Sequence, residues 1–179
     1  GGSDGDGRGL MQDWPSRIRA YGLGLIVLGL DQVTKQLAAS GLNMGRPVEL
    51  VGPAVRLALR RNTAAACSIP WGGPEFLLVF TAAAAVVVGV VIWRCRSCRP
   101  LSLLALGAIM GGAAGNAIDR VLYGWVIDFI DLGAGGWRWP TFNVADIAIS
   151  VGGVLLVILH GRRPGSRRKG GEVDDGQQA

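Results

Sequence analysis

The sequence predicts a mainly α-helical membrane protein, with four transmembrane helices and a small β-like element outside the membrane. Half of its 179 residues are hydrophobic and only 17% are charged, whereas a soluble domain is about one quarter charged. The apolar residues are concentrated in long runs, and the Lys and Arg residues cluster in short segments beside them. Basic flanks of this kind are typical of the cytoplasmic ends of membrane helices.

Each apolar run predicts one helix. The runs at 76–93 and 101–118 contain no charged residue, and both are long enough to cross the hydrocarbon core of a bilayer. In the second run, Gly107, Gly111 and Gly115 are spaced by four residues, which predicts a smooth face for close helix packing. The predicted helices cover about residues 18–39, 76–93, 101–119 and 144–160.

The first apolar run, from Ala20 to Leu30, has two interpretations. Its basic flank and the small residues that follow it resemble a signal-peptide core. The alternative, which we favour, is a membrane helix that continues to Ala39. Asp31 and Lys35 are spaced i, i+4 with the acid N-terminal to the base, so they share one face and pair favourably. Such a polar face has to point into a helix bundle, and a cleaved signal has no use for it.

The remaining parts of the chain differ from these runs in composition. Residues 1–13 are rich in glycine and predict a flexible N-terminal extension or a cloning remnant. Residues 41–74 contain several Gly and Pro and an alternating stretch from Val55 to Arg60, which predicts a half-buried strand. Residues 162–179 predict a disordered basic and polar tail. The transmembrane domain is thus expected to cover residues 14–161.

The basic residues predict the orientation of the chain. Four spans place both termini on one side, and short segments dense in Lys and Arg mark that side as the cytoplasm. Residues 40–75 and 121–142 then lie on the extracytoplasmic side. The basic residues that indicate the cytoplasm are Arg17, Arg19, Arg94, Arg96, Arg99, Arg162, Arg163, Arg167, Arg168 and Lys169.

The composition also argues against two other kinds of site. No basic stripe interleaved with aromatic residues is present, so a nucleic-acid surface is not expected. Cys95 and Cys98 form a single C-x-x-C with no second pair and no histidine nearby, and we interpret both as incidental loop thiols. Neither a metal nor an organic cofactor is expected.

Two carboxylates stand out at the predicted extracytoplasmic end of the bundle. Asp128 and Asp146 each lie beside apolar residues, where a charged group is costly, so each is a candidate functional residue. Other polar residues map to the same end. They are Asn62, Asn116, Asp119, Arg120 and Asn143, together with Asp31 and Lys35 on the first helix.

Catalysis at this end would have to rest on carboxylates. The only histidine, His160, lies at the far end of the last helix, and no Ser/His or Cys/His pair is available. Two carboxyl groups held close together share a proton, so that one activates a water and the other donates to a carbonyl oxygen. From the residues alone, Asp128 and Asp146 could also be ordinary loop and helix-start acids, and which of them holds the proton stays open.

Five segments stand in order along the chain: DQVTK at 31–35, RNTAAACS at 61–68, GGAAGNAIDR at 111–120, VIDFI at 126–130 and FNVAD at 142–146. Together they resemble the lipoprotein signal peptidases (signal peptidase II), the bacterial membrane aspartyl peptidases. The resemblance covers about residues 14–160 and implies four transmembrane helices with an extracytoplasmic β-cradle, in the bacterial cytoplasmic (inner) membrane. Ala64 and Cys67 stand where that family usually has Gly and Phe, and neither departure replaces one of the two carboxylates.

By position, the resemblance implies that Asp128 and Asp146 are the catalytic aspartates. The implied function is removal of the signal peptide from prolipoproteins, with the cut before a diacylglyceryl-modified cysteine. The expected partners are that substrate and membrane lipid, without nucleic acid, and the chain is expected to act as a monomer. The alternative is a small proton-coupled carrier that uses intramembrane carboxylates. The residues implied to orient or support the pair are Asn62, Asn116, Arg120, Asn143, Asp119, Asp31 and Lys35.

Overall fold

The computed structural model describes residues 6–63 and 74–161, with side chains from residue 14 in the first range and from residue 75 in the second. Four helices and one small antiparallel sheet form the fold, which confirms the mainly helical prediction. The sheet has the strand order β1-β2-β3-β4. The elements in chain order are α1 (Asp6–Gly41), β1 (Val48–Val51), β2 (Val55–Asn62), α2 (Pro74–Arg94), α3 (Pro100–Tyr123), β3 (Val126–Ala134), β4 (Trp137–Arg138) and α4 (Val144–Gly161).

Helices α2, α3 and α4 lie where the apolar runs predict them, whereas α1 begins earlier than predicted. The helix starts at Asp6 and contains Pro15, although the glycine-rich start of the chain has low helix propensity and proline usually marks a first helical turn. The tail at 162–179 lies outside the described residues, as do Ala64 and Cys67.

Three of the four helices (α2, α3 and α4) are long and apolar enough to cross a membrane. Helix α1 is not among them, because Asp31, Gln32, Lys35 and Gln36 lower the hydropathy of its second half. Apolar side chains on the outside of the bundle are widely exposed, as at Val157, which is 73% exposed. Large exposed apolar surfaces of this kind are typical of contact with lipid.

Helix α3 is the centre of the bundle and contacts each of the other three helices. It begins with Pro100 as its first residue and ends at Gly124, whose φ of 81° is left-handed and whose N–H donates to the carbonyl of Arg120. Such a glycine stops a helix and turns the chain. The turn leads directly into β3, so the strand that contains Asp128 starts beside the end of α3.

Close contact between α1 and α3 depends on glycine, as the spacing of Gly107, Gly111 and Gly115 predicts. A Cβ atom on Gly107 would overlap the carbonyl of Ala20, and one on Gly111 would overlap the carbonyl of Gly24. The two backbones therefore approach more closely than any side chain would allow. This confirms the predicted packing face.

Strand β3 is the largest addition to the predicted fold, because no strand was predicted for these residues. Asn62 pairs with Val126, Arg60 with Asp128 and Arg56 with Asp131 in the antiparallel register of β2 with β3. The first four residues of β3 are all buried, so this strand lacks the polar and apolar alternation that marks a half-buried strand.

An ion-pair cluster holds the outer part of the sheet together. The Asp131 carboxylate accepts from Arg56 Nη2 at 2.7 Å and from Arg138 Nε at 2.6 Å, and so joins β2, β3 and β4. Burial raises the pKa of Asp131, but the hydrogen bonds and charges of Arg138 and Arg56 together outweigh it and hold the pKa below its usual value. The ionised form of Asp131 therefore stabilises the sheet.

Cys95 and Cys98 form a disulfide in the connection between α2 and α3. Both residues lie in a loop, as predicted, but the sequence analysis did not predict that they pair. Their Cα atoms are 5.8 Å apart, within the range that a disulfide needs. The tight turn before Pro100 brings Cys95 and Cys98 together. The C-x-x-C spacing alone did not predict whether they would form a disulfide.

We predict that Gly111→Ala destabilises the bundle by about 1–3 kcal/mol, because the added methyl group forces the α1 and α3 backbones apart. Gly29→Ala is the matched control, since a Cβ at Gly29 meets nothing within 4 Å. It should be neutral or slightly stabilising, because alanine favours helix more than glycine does. Thermal unfolding in detergent compares the two variants. Equal melting temperatures would contradict the packing argument.

We predict that Asp131→Asn destabilises the protein at neutral pH by about 1–3 kcal/mol, since three charge-assisted hydrogen bonds from Arg56 and Arg138 are lost or weakened. Because the folded-state pKa of Asp131 lies below its unfolded value, this stabilisation is complete above the unfolded pKa. It is lost as the pH falls through the folded pKa. The wild type and the variant should therefore converge in acid. Glu49→Gln, on the exposed strand β1, is the control and should change neither stability nor its pH dependence.

Candidate active site

Asp146 is positioned by a reciprocal pair of hydrogen bonds at the start of α4. The Asp146 N–H donates to Asn143 Oδ1 at 3.0 Å, and the Asn143 N–H donates to Asp146 Oδ2 at 3.2 Å. This arrangement is a capping box, in which the residue before a helix and the third residue of its first turn satisfy each other's free N–H groups. The start of α4 thus fixes the Asp146 carboxylate.

Asp128 projects from β3 into the same region and is only 2% exposed. Asn62 Nδ2 donates to its Oδ2 at 2.9 Å, and Asn143 Nδ2 donates to its Oδ1 at 2.7 Å. Asn143 therefore contacts both carboxylates, through its side chain to Asp128 and through its backbone to Asp146. The structure brings together the two aspartates that the sequence analysis selected.

Asn116 links Asp146 to α1. Its Nδ2 donates to Asp146 Oδ1 at 2.9 Å, and its Oδ1 accepts from Lys35 Nζ at 2.9 Å. An ammonium group can only donate, so Lys35 forces the oxygen of the Asn116 amide to face it. The NH2 group of Asn116 must then face Asp146.

A buried ion cluster lies beneath these residues. Lys35 Nζ is 2.8 Å from Asp31 Oδ2 and 3.0 Å from Asp119 Oδ2. Asp31 also accepts from the N–H of Ala145 at the start of α4, and Asp119 accepts from the N–H of Ile127 in β3. The cluster therefore connects α1 and α3 to the two elements that carry the aspartates, and its role in the structure is one of support.

Gln32 belongs to this support, although the sequence analysis did not choose it as a site residue. Its Nε2 donates to Asp119 Oδ1 at 3.0 Å and to the Gly115 carbonyl at 3.2 Å. Its place beside Asp31 on the polar face of α1 is the signal that could have identified it. Asp119 pairs with Lys35, consistent with the supporting position that the family resemblance implies for it.

A cavity of about 710 Å³ opens at the pair. Asp146, Asn116 and Asn62 form part of its wall, and Asn62 donates to the buried carboxylate of Asp128. Arg120, half-buried, also faces the cavity and donates from Nη1 to the Asn116 carbonyl at 3.2 Å. Further apolar lining comes from Trp139, Phe142, Ile149 and Val151. The cavity therefore offers an ionisable group, amide groups and a guanidinium beside an apolar wall.

Asp128 has an unusual protonation equilibrium. Burial raises its pKa from 3.8 to about 6, and the nearby charge of Asp146 contributes in the same direction. The hydrogen bonds from Asn62 and Asn143 act the other way, since they stabilise the ionised form. Asp128 can thus take up or release a proton near neutral pH, which suits acid–base chemistry.

Known relatives align with most of this chain. The chain is 42% identical to a lipoprotein signal peptidase from Hydrogenovibrio crunogenus over 147 residues, which are 80% of this chain and 85% of the relative. It is 41% identical to a lipoprotein signal peptidase from Rhodococcus jostii over 164 residues, 87% of this chain and 80% of that one. These relatives favour a peptidase and give no support to the carrier alternative.

The fold also matches solved structures. One, described as a bacterial membrane enzyme solved by the in meso method, superposes with a TM-score of 0.75 at 27% identity and covers 86% of this chain and 93% of its own. A second with the same description has a TM-score of 0.73 at 29% identity, over 81% of this chain and 94% of its own. A family profile described as Signal peptidase (SPase) II matches residues 23–161. The chain therefore belongs to the signal peptidase II family of aspartic peptidases.

Proposed function

We propose that this protein removes the signal peptide from diacylglyceryl-modified prolipoproteins, cutting before the lipid-modified cysteine, with Asp128 and Asp146 as its catalytic pair. Membership of the signal peptidase II family supports the cleavage of lipoprotein signal peptides. The observation that carries the catalytic assignment is the Asn143 bridge, which contacts Asp128 at 2.7 Å and Asp146 at 3.2 Å. Two carboxyl groups held by one residue beside a cavity fit the requirement for a shared proton.

In the proposed reaction, Asp146 is the base and Asp128 is the acid. Asp146 lines the cavity and takes a proton from a water, whose oxygen forms a bond to the scissile carbonyl carbon. Asp128, the buried member with a pKa of about 6, gives its proton to the carbonyl oxygen. When the gem-diol collapses, Asp128 recovers a proton from a hydroxyl group. Asp146 then protonates the leaving amine as the C–N bond breaks.

The remaining polar residues would orient the reacting groups without a metal or cofactor. Asn62 and Asn143 hold Asp128, and Asn116 holds Asp146. Arg120 lies at the cavity wall, where its guanidinium could contact a peptide carbonyl of the substrate. Asp31, Lys35 and Asp119 fix the helices that carry these groups.

We also propose how the chain lies in the bacterial cytoplasmic membrane. Helix α1 is the fourth span, because its polar residues face α3 rather than lipid. Both termini are cytoplasmic, and the sheet forms an extracytoplasmic cradle beside the site. Residues 14–161 form the peptidase domain, flanked by a short N-terminal extension and a basic cytoplasmic tail at 162–179. The acyl chains of the substrate remain in lipid, and the enzyme acts as a monomer.

We predict that Asp128→Asn and Asp146→Asn each lower cleavage by at least about a thousandfold, since neither amide can accept or release the shared proton. The measurement is a gel shift of diacylglyceryl-modified prolipoprotein in detergent, with thermal unfolding as the check on folding. Glu75→Gln, an exposed carboxylate at the start of α2, is the control and should cleave at the wild-type rate. A folded Asp128→Asn or Asp146→Asn variant that still cleaves rapidly would refute the pair.

We predict that cleavage falls as the pH rises through about 6, where Asp128 loses the proton that it donates. Asn62→Leu should move this decline to higher pH, because it removes a hydrogen bond that favours the ionised form without admitting water. Initial rates at low substrate, measured from pH 4 to pH 9, test both statements. If Asn62→Leu lowers the cleavage rate but leaves the pH of the decline unchanged, then Asn62 only positions substrate and Asp128 does not supply the proton.

A further inference from the structure

A second cavity lies at the end of the bundle opposite to the aspartate pair. It has a volume of about 650 Å³ and is lined by Trp14, Arg17, Trp93, Arg94 and Arg96. Arg17 and Lys35 are 18 positions apart on α1, which corresponds to roughly 27 Å along a helix. Because the hydrocarbon core of a bilayer is about 30 Å thick, this cavity lies near the other membrane surface.

Arg17 gives the cavity an unusual polar wall. It is only 4% exposed, and its Nη2 donates to the Cys95 carbonyl at 2.7 Å. Its Nε has no hydrogen-bond partner among the described residues, and no carboxylate in the described part of the chain forms an ion pair with it. A buried guanidinium that no described carboxylate neutralises is costly, and Arg17 lines this cavity, so an anion in the cavity would be favoured.

Two tryptophans complete the cavity on its apolar side. The rings of Trp14 and Trp93 meet edge to face with centroids 5.7 Å apart, and both side chains remain about half exposed. Tryptophan favours the level of the lipid headgroups, because its ring is apolar and its N–H is polar. Arg94, the last residue of α2, adds a second positive charge beside the two rings.

We propose that this cavity binds the phosphate group of an anionic phospholipid. The guanidinium groups of Arg17 and Arg94 contact the phosphate oxygens, since guanidinium matches the geometry of phosphate. The tryptophan rings pack against the glycerol and the first acyl carbons. A free phosphate ion would satisfy the arginines but would leave the apolar wall uncovered, and the location at a membrane surface therefore favours the lipid. The site is independent of the catalytic pair.

Titration of the full-length protein in a non-ionic detergent with dioctanoyl phosphatidylglycerol tests this proposal, with native mass spectrometry as the readout. The wild type should bind one such lipid at least about fivefold more tightly than dioctanoyl phosphatidylcholine, whose headgroup has no net charge. Arg94→Gln and Arg17→Gln should each weaken binding by about fivefold, the effect expected for the loss of one basic residue near a lipid phosphate.

Arg19→Gln is the matched control, because it removes an equal charge from an exposed position on the same helix that does not line the cavity. It should bind phosphatidylglycerol as the wild type does. Equal weakening by Arg19→Gln and Arg94→Gln would show diffuse attraction to a basic surface and overturn the proposal. Inorganic phosphate that competes at the same concentration as the lipid would show a free-anion site and also overturn it. If Arg17→Gln fails to fold, Arg94→Gln alone decides.

Discussion

The Lys35 ammonium group is the interaction on which the active-site geometry depends. Its three N–H bonds point to Asp31 at 2.8 Å, Asp119 at 3.0 Å and Asn116 at 2.9 Å. Each of these acceptors then holds one further element: Asp31 the start of α4, Asp119 the start of β3 and Asn116 the Asp146 carboxylate. A buried charge is tolerated only where such partners satisfy it fully. The Lys35 ammonium group therefore holds β3 and α4, the two elements that carry the aspartates, in place relative to each other.

The two carboxyl groups of the site are chemically identical but lie in different surroundings. Both accept two hydrogen bonds, but Asp128 is only 2% exposed, whereas Asp146 lines the cavity. Burial penalises the ionised form of Asp128 more strongly than its two amide donors can offset, which accounts for its pKa of about 6. Unequal environments allow a pair of aspartates to divide the roles of acid and base. The asymmetry follows from position, since Asp128 sits in a buried strand and Asp146 at an open helix end.

The sequence alone predicts the features that depend on local patterns. Apolar runs predict α2, α3 and α4, and the spacing of Gly107 and Gly111 predicts a face for close helix packing, which α1 occupies in the structure. Asp128 and Asp146 stand out as candidates because acids beside apolar runs are costly, but only the family resemblance selects them as a pair. Strand β3 escapes prediction, because burial on both faces erases the alternation of a half-buried strand. The contacts of Asn143 with both Asp128 and Asp146 could not be predicted either, since they form only when β3 and α4 come together.

The outer part of the sheet affects the position of Asp128, although its residues lie outside the active site. A shift of β3 by one residue against β2 would turn Asp128 away from the bundle, because successive side chains in a strand face opposite sides. The early residues of β3 are all apolar apart from Asp128, so apolar burial alone discriminates weakly between registers. Asp131 supplies the missing specification, since it pairs with Arg56 on β2 and with Arg138 on β4. Because the pairing register shifts between Leu57 and Arg60, this ion pair fixes the outer part of β3. The hydrogen bond from Asn62 to Asp128 fixes the inner part, which faces Asn143.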